Sequence, residues 1–162
     1  MRWLRNWWPV LVWAALIFNF STSAFASENT SRIIVPVLHW LFPHWSPETL
    51  AAAHHLIRKC GHFIEYFIFS LLVLRAFRAG HKGTRLGWAL GAIGVAAAYA
   101  GLDEFHQSFV PGRTAAFTDV LLDTAGSIAA QVVAALVMVL GDLREKRKKI
   151  LPPAEIASTD RD

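Results

Sequence analysis

Four apolar blocks separated by short polar stretches dominate the chain, at about residues 7–26, 62–79, 86–107 and 118–140. Apolar residues run all around each block rather than along one stripe, the pattern of helices with no face kept for water. A spanning helix needs ~20 such residues, because the hydrocarbon layer is ~30 Å thick and a helix rises ~1.5 Å per residue. The second block is the shortest and gains length from the stretch before it. The pattern predicts an all-α integral membrane four-helix bundle over residues 7–142. A short N-terminus, 1–6, precedes it. A basic tail, 143–162, follows, opens out at Pro152-Pro153 and is expected to be disordered.

The connection between the first two blocks is the longest. Ser27 to Ser31 is polar and reads as a loop. Ile33 to Trp45 is rich in isoleucine, valine, leucine and tryptophan, and is bracketed by Pro36 and Pro43. Too short to span, it predicts an interfacial helix between the first and second spans, with its tryptophans at headgroup level. Ser46-Pro47-Glu48 is a helix start: serine caps, proline suits the first turn, and an acid meets the positive end of the dipole. In the third block Gly87, Gly91, Gly94, Ala98 and Gly101 form a small-residue stripe, and the fourth carries Ala125, Ala129 and Ala134. Both predict close helix packing.

Composition agrees with the membrane reading, at 54% hydrophobic and 17% charged residues with seven tryptophans. Twelve of the sixteen lysines and arginines lie in the N-terminus, the second connection and the tail; Arg32, Arg58, Lys59 and Arg113 lie on the other side. Positive residues stay in the cytoplasm, so both termini are expected inside, and the first and third connections outside. The net charge of +4 is then a topology signal rather than a nucleic-acid surface. Ala24-Phe25-Ala26 after the first apolar run also resembles a signal-cleavage site, but we read the helix as retained, a packing partner for the later spans. The lone Cys60 has no partner for an internal disulfide and reads as a small filler beside Gly61.

The candidate chemistry gathers at the outward ends of three blocks. His62 and Glu65 share one face of the second, with Arg58 and Lys59 just before them. Asp103, Glu104, His106 and Gln107 end the third, and Asp119 and Asp123 begin the fourth. Between these, Val110-Pro111-Gly112-Arg113 has the residues of a type II turn. Ionisable groups are costly at membrane depth, so they are expected to meet in one polar pocket.

Several chemistries suit such a pocket. His62, Glu65, Asp103 and His106 have the Glu/Asp-x-x-His character of divalent-metal sites between helices. His62, Glu65, Asp103, Glu104, His106 and Asp119 could instead carry protons in acid–base catalysis. Arg58, Lys59, Gln107, Arg113 and Asp123 could recognise an anionic ligand. A polar network that only locks helix ends together uses the same residues.

These residues carry a resemblance. Arg58-Lys59-x-x-His62-Phe63-x-Glu65-Tyr66, then Leu102-Asp103-Glu104-x-His106-Gln107-x-Phe109-Val110-Pro111-Gly112-Arg113, then Asp119-Val120, resembles the VanZ-like family. Ile17-Phe18 and Ser21-Thr22 resemble its first helix, so the match runs over most of residues 10–140. Asp123 departs from the pattern, in which asparagine is usual. The resemblance implies a small multi-spanning protein of the bacterial cytoplasmic membrane, whose namesake is associated with resistance to the glycopeptide teicoplanin. Its expected partners are membrane lipids and a lipid-linked cell-wall precursor. A membrane enzyme acting on a lipid-linked substrate, and a structural or interaction protein, are the alternatives.

Overall fold

A computed structural model describes residues 2–81, 83, 85–113 and 115–150. It contains five helices: α1 (Arg2–Phe20), α2 (Ser27–Leu41), α3 (Pro47–Arg78), α4 (Leu86–Gln107) and α5 (Phe117–Ile150), with no strand among the described residues. The last three are each long and apolar enough to cross a membrane, and α1 with α2 forms a bent pair that could make a fourth span. The protein is an all-α membrane bundle.

The helix boundaries follow local chemistry. Ser46 caps α3, its Oγ accepting from the Thr49 N–H at 3.3 Å, with Pro47 in the first turn. From there α3 runs unbroken for 32 residues, about 48 Å, longer than the apolar layer is thick. It ends where Ala79 (φ 46°) and Gly80 (φ 90°) turn left-handed. The fourth helix spans the expected 86–107.

Three boundaries differ from expectation. The first block ends at Phe20 rather than near residue 26, because the polar Ser21-Thr22-Ser23 run leads into a short 3-10 turn at Ser23–Phe25 and the axis bends by 65°. Ser27 to Ser31, expected as a loop, forms the start of α2, where Glu28 meets the positive end of the helix dipole. At the other end α5 continues through the basic stretch to Ile150, since no helix breaker intervenes before Pro152. The disorder expected of the tail therefore does not begin at residue 143, and residues 151–162 lie outside the described part.

The interior is built around α3. Tyr66, Phe69 and Val73 meet Ile17 and Val10 of α1 and Ala92, Ala96 and Ala100 of α4. Two hydrogen bonds fasten α1: Trp13 Nε1 donates to the Glu65 carbonyl at 2.9 Å, and the Tyr99 hydroxyl donates to the Ala14 carbonyl at 2.7 Å. Of the glycine stripe of α4, Gly91 makes a close approach, a Cβ there lying 3.1 Å from the Phe77 ring, and the others do not. A Cβ at Gly87, Gly94 or Gly101 would meet nothing, because the buried edge is the alanine row one step round the helix. The tight crossing is between α3 and α5, where a Cβ at Gly126 would clash with the Phe63 carbonyl oxygen. Outward, α2 leaves Ile33, Val37 and Trp40 exposed, and α5 leaves Val132, Val133, Leu136 and Val137 exposed. These are surfaces suited to lipid.

Candidate functional site

Between the bend in α1–α2, the middle of α3 and the adjoining ends of α4 and α5 lie two pockets with a common wall. The smaller, about 230 Å³, has apolar sides from Ile17, Phe20, Phe25, Ile34 and Ile57, with Glu65 and Asp103 also lining it. The larger, about 450 Å³, is lined by His55, Lys59, Gln107 and Asp119 among others. Arg58, His62 and Arg113 line both.

Each polar group is placed by a specific local device. The turn at Val110–Arg113 takes the expected form: Gly112 has φ 78°, and the Arg113 N–H donates to the Val110 carbonyl at 3.2 Å. That turn swings the Arg113 guanidinium onto α1, where it donates to the carbonyls of Phe20 and Thr22. Burial, and then the like charge of Arg58, pull the Arg113 guanidinium below the ordinary arginine value; Asp103, Glu65 and Glu104 pull the other way. Among the described residues Arg58 makes one hydrogen bond, a long one to the Phe25 carbonyl at 3.5 Å. Lys59 is paired with Asp119.

The carboxylates divide by role. Glu104 accepts from the Ala116 backbone N–H at 2.8 Å, tying α4 to the start of α5. Asp103 accepts from Gln107 Nε2 at 2.9 Å through one oxygen; its other oxygen is buried with no partner among the described residues. Asp123 is fully buried and lies 3.7 Å from His62 Nδ1. The structure thus brings Arg58, Lys59, His62, Glu65, Asp103, Gln107, Arg113 and Asp119 to the two pockets, with Asp123 behind His62. Glu104 serves the backbone instead. His106 turns away and packs its ring on Phe18, 4.6 Å between centroids. Consequently His62, Glu65, Asp103 and His106 do not form a ligand set; among the described residues no three His, Cys, Asp or Glu side chains could together hold a metal ion.

Below the pockets a polar row continues into the α3–α5 interface. Gln131 Nε2 donates to Ser70 Oγ at 2.7 Å, and Ser70 Oγ donates to the Ser127 carbonyl at 3.2 Å. The sequence does carry a signal for this row, since Asp119, Asp123, Ser127 and Gln131 recur every fourth residue, the spacing of one helix face. His54, whose place in the connection suggests an interfacial residue, is buried instead, and its side chain meets Thr30 at 3.1 Å, joining α2 to α3.

A model of the VanZ/LLP1 family matches residues 7–138, which takes in every residue of both pockets and the polar row beneath them. The chain belongs to the VanZ/LLP1 family. No curated protein and no solved structure gives a significant match. In this VanZ/LLP1 protein the motif residues are therefore best assigned from their own geometry, which splits them between pocket walls and helix-fastening contacts.

Proposed function

We propose that this VanZ/LLP1 protein engages the phosphate-bearing headgroup of an envelope lipid, or of a lipid-linked cell-wall precursor, at the outer face of the bacterial cytoplasmic membrane. Both termini then lie in the cytoplasm, as the lysine and arginine asymmetry favours. The observation that carries the reading is the larger pocket, with Arg58 on its wall and, among the described residues, hydrogen-bonded only to one carbonyl at long range. A guanidinium in that state is suited to a phosphate oxygen pair. A ligand of this kind accords with the family namesake's link to glycopeptides, which bind wall precursors.

Native mass spectrometry of the purified protein tests the reading. Phospholipid should co-purify with the wild type, and Arg58→Gln should lower its retention, whereas Arg78→Gln, remote from the pockets, should not. Equal retention in all three would overturn the proposal.

A second reading is favoured by the His62–Asp123 pair. A buried carboxylate facing Nδ1 leaves Nε2 for the pocket wall, an arrangement suited to proton transfer on a bound lipid. Turnover of an envelope lipid by the purified protein, lost in His62→Gln, would establish it.

A further inference from the structure

The site holds more negative groups than a plain anion binder needs. Its smaller pocket contains two carboxyl side chains, Glu65 and Asp103, beneath apolar walls. Asp103 is 5% exposed, and one of its oxygens has no hydrogen-bond partner among the described residues. Independently, Ser21 lines the same pocket from the turn after α1, is 2% exposed, and has a hydroxyl that also lacks a partner among the described residues. Buried acceptors in this state call for a donor. A primary ammonium has three N–H donors, a count that matches Asp103, Glu65 and the Ser21 hydroxyl. The Phe20 and Phe25 rings, packed edge-to-face at 4.9 Å, give the same pocket aromatic surface for a cation.

The larger pocket has a different balance of charge. Lys59 and Asp119 neutralise one another there, leaving Arg58 and Arg113 as the excess charge. Because these two arginines belong to both pockets, they stand on the wall between a chamber with excess positive charge and a smaller one in which Glu65 and Asp103 balance them. We infer that the ligand is a zwitterion: a phosphate beside Arg58 and Arg113 in the larger chamber, joined by a short link to a primary ammonium against Asp103, Glu65 and Ser21 in the smaller. Phosphoethanolamine has this chemistry, whether as a membrane lipid headgroup or free in solution. This assignment rests on the phosphate reading above and narrows it.

The test compares lipids with matched acyl chains on the full chain in detergent, read by native mass spectrometry. Phosphatidylethanolamine should be retained about tenfold over phosphatidylglycerol, the increment expected of charge-assisted hydrogen bonds to the ammonium. It should also exceed phosphatidylcholine, whose trimethylammonium has no N–H to give. Asp103→Asn should bring phosphatidylethanolamine down to the phosphatidylglycerol level, and the smaller change Ser21→Ala should lower the preference in the same direction. Displacement by soluble phosphoethanolamine assigns recognition to the headgroup alone; retention in its presence assigns it to the membrane lipid. Equal binding of phosphatidylethanolamine and phosphatidylglycerol, or a choline preference, overturns the ammonium assignment while the phosphate reading stands. Retention of no phospholipid overturns both.

Discussion

The Nδ1 atom of His62 stands 3.7 Å from a carboxylate oxygen of Asp123, a side chain fully shielded from solvent. That separation exceeds a hydrogen bond, so the two groups are neighbours without a formed contact. Asp123→Asn keeps the shape and should change unfolding stability by less than about 1 kcal/mol, since no full hydrogen bond is lost. Asp123→Ala should cost about 1–3 kcal/mol by opening a polar hole. Denaturation in mixed micelles measures both, and a large loss in the asparagine variant would make the pair a structural staple.

The α3–α5 crossing is the least forgiving point of the bundle. Gly126→Ala should destabilise by about 1–3 kcal/mol, because its methyl would strike the Phe63 backbone rather than a movable side chain. Gly94→Ala meets open space and should be neutral or slightly stabilising, given alanine's better helix propensity. The same unfolding assay on both variants checks the contrast.

Helices were easy to see in the sequence and their rotations were not. The limits of α4 coincide with its apolar block, and the Val110–Arg113 turn with its Pro-Gly signal. Which face of α4 would be buried could not be read, because glycines and alanines alternate along it and both suit close packing. The bend at Ser21 was hidden for a related reason: hydropathy averages over a window, while three small polar residues decide locally where a helix stops. For the site, spacing brought the right ends together. It did not show that His106 packs on Phe18 or that Arg113 reaches back to α1, since such contacts lie between segments far apart in the chain.

The Ser70–Gln131 contact should act as a cross-helix tie. In a double-mutant cycle with Ser70→Ala and Gln131→Leu, the coupling energy should be about 0.5–1.5 kcal/mol, the range found for hydrogen bonds between membrane helices. Strict additivity would show that the tie does not form.

Arg113→Gln should release the carbonyls of Phe20 and Thr22 and loosen the end of α1. With Cys60→Ser as background, a Ser21→Cys thiol, buried when Arg113 is present, should react faster with maleimide once Arg113 is replaced. Unchanged reactivity would mean that the turn does not hold α1.

Orientation has its own test. In the Cys60→Ser background, Pro111→Cys should be labelled in intact cells by a membrane-impermeant maleimide. Labelling only after lysis would put the turn, and the site with it, in the cytoplasm.

The elbow joining the first two helices is gripped by guanidinium groups whose partners there are main-chain oxygens. Any phosphate drawing those groups toward itself must compete with that grip, so occupancy and elbow angle are thermodynamically linked, each biasing the other by the same amount. Loading the larger chamber would thereby be felt as a change of tilt in the N-terminal helix, so that a ligand held at the elbow reshapes a segment it never touches.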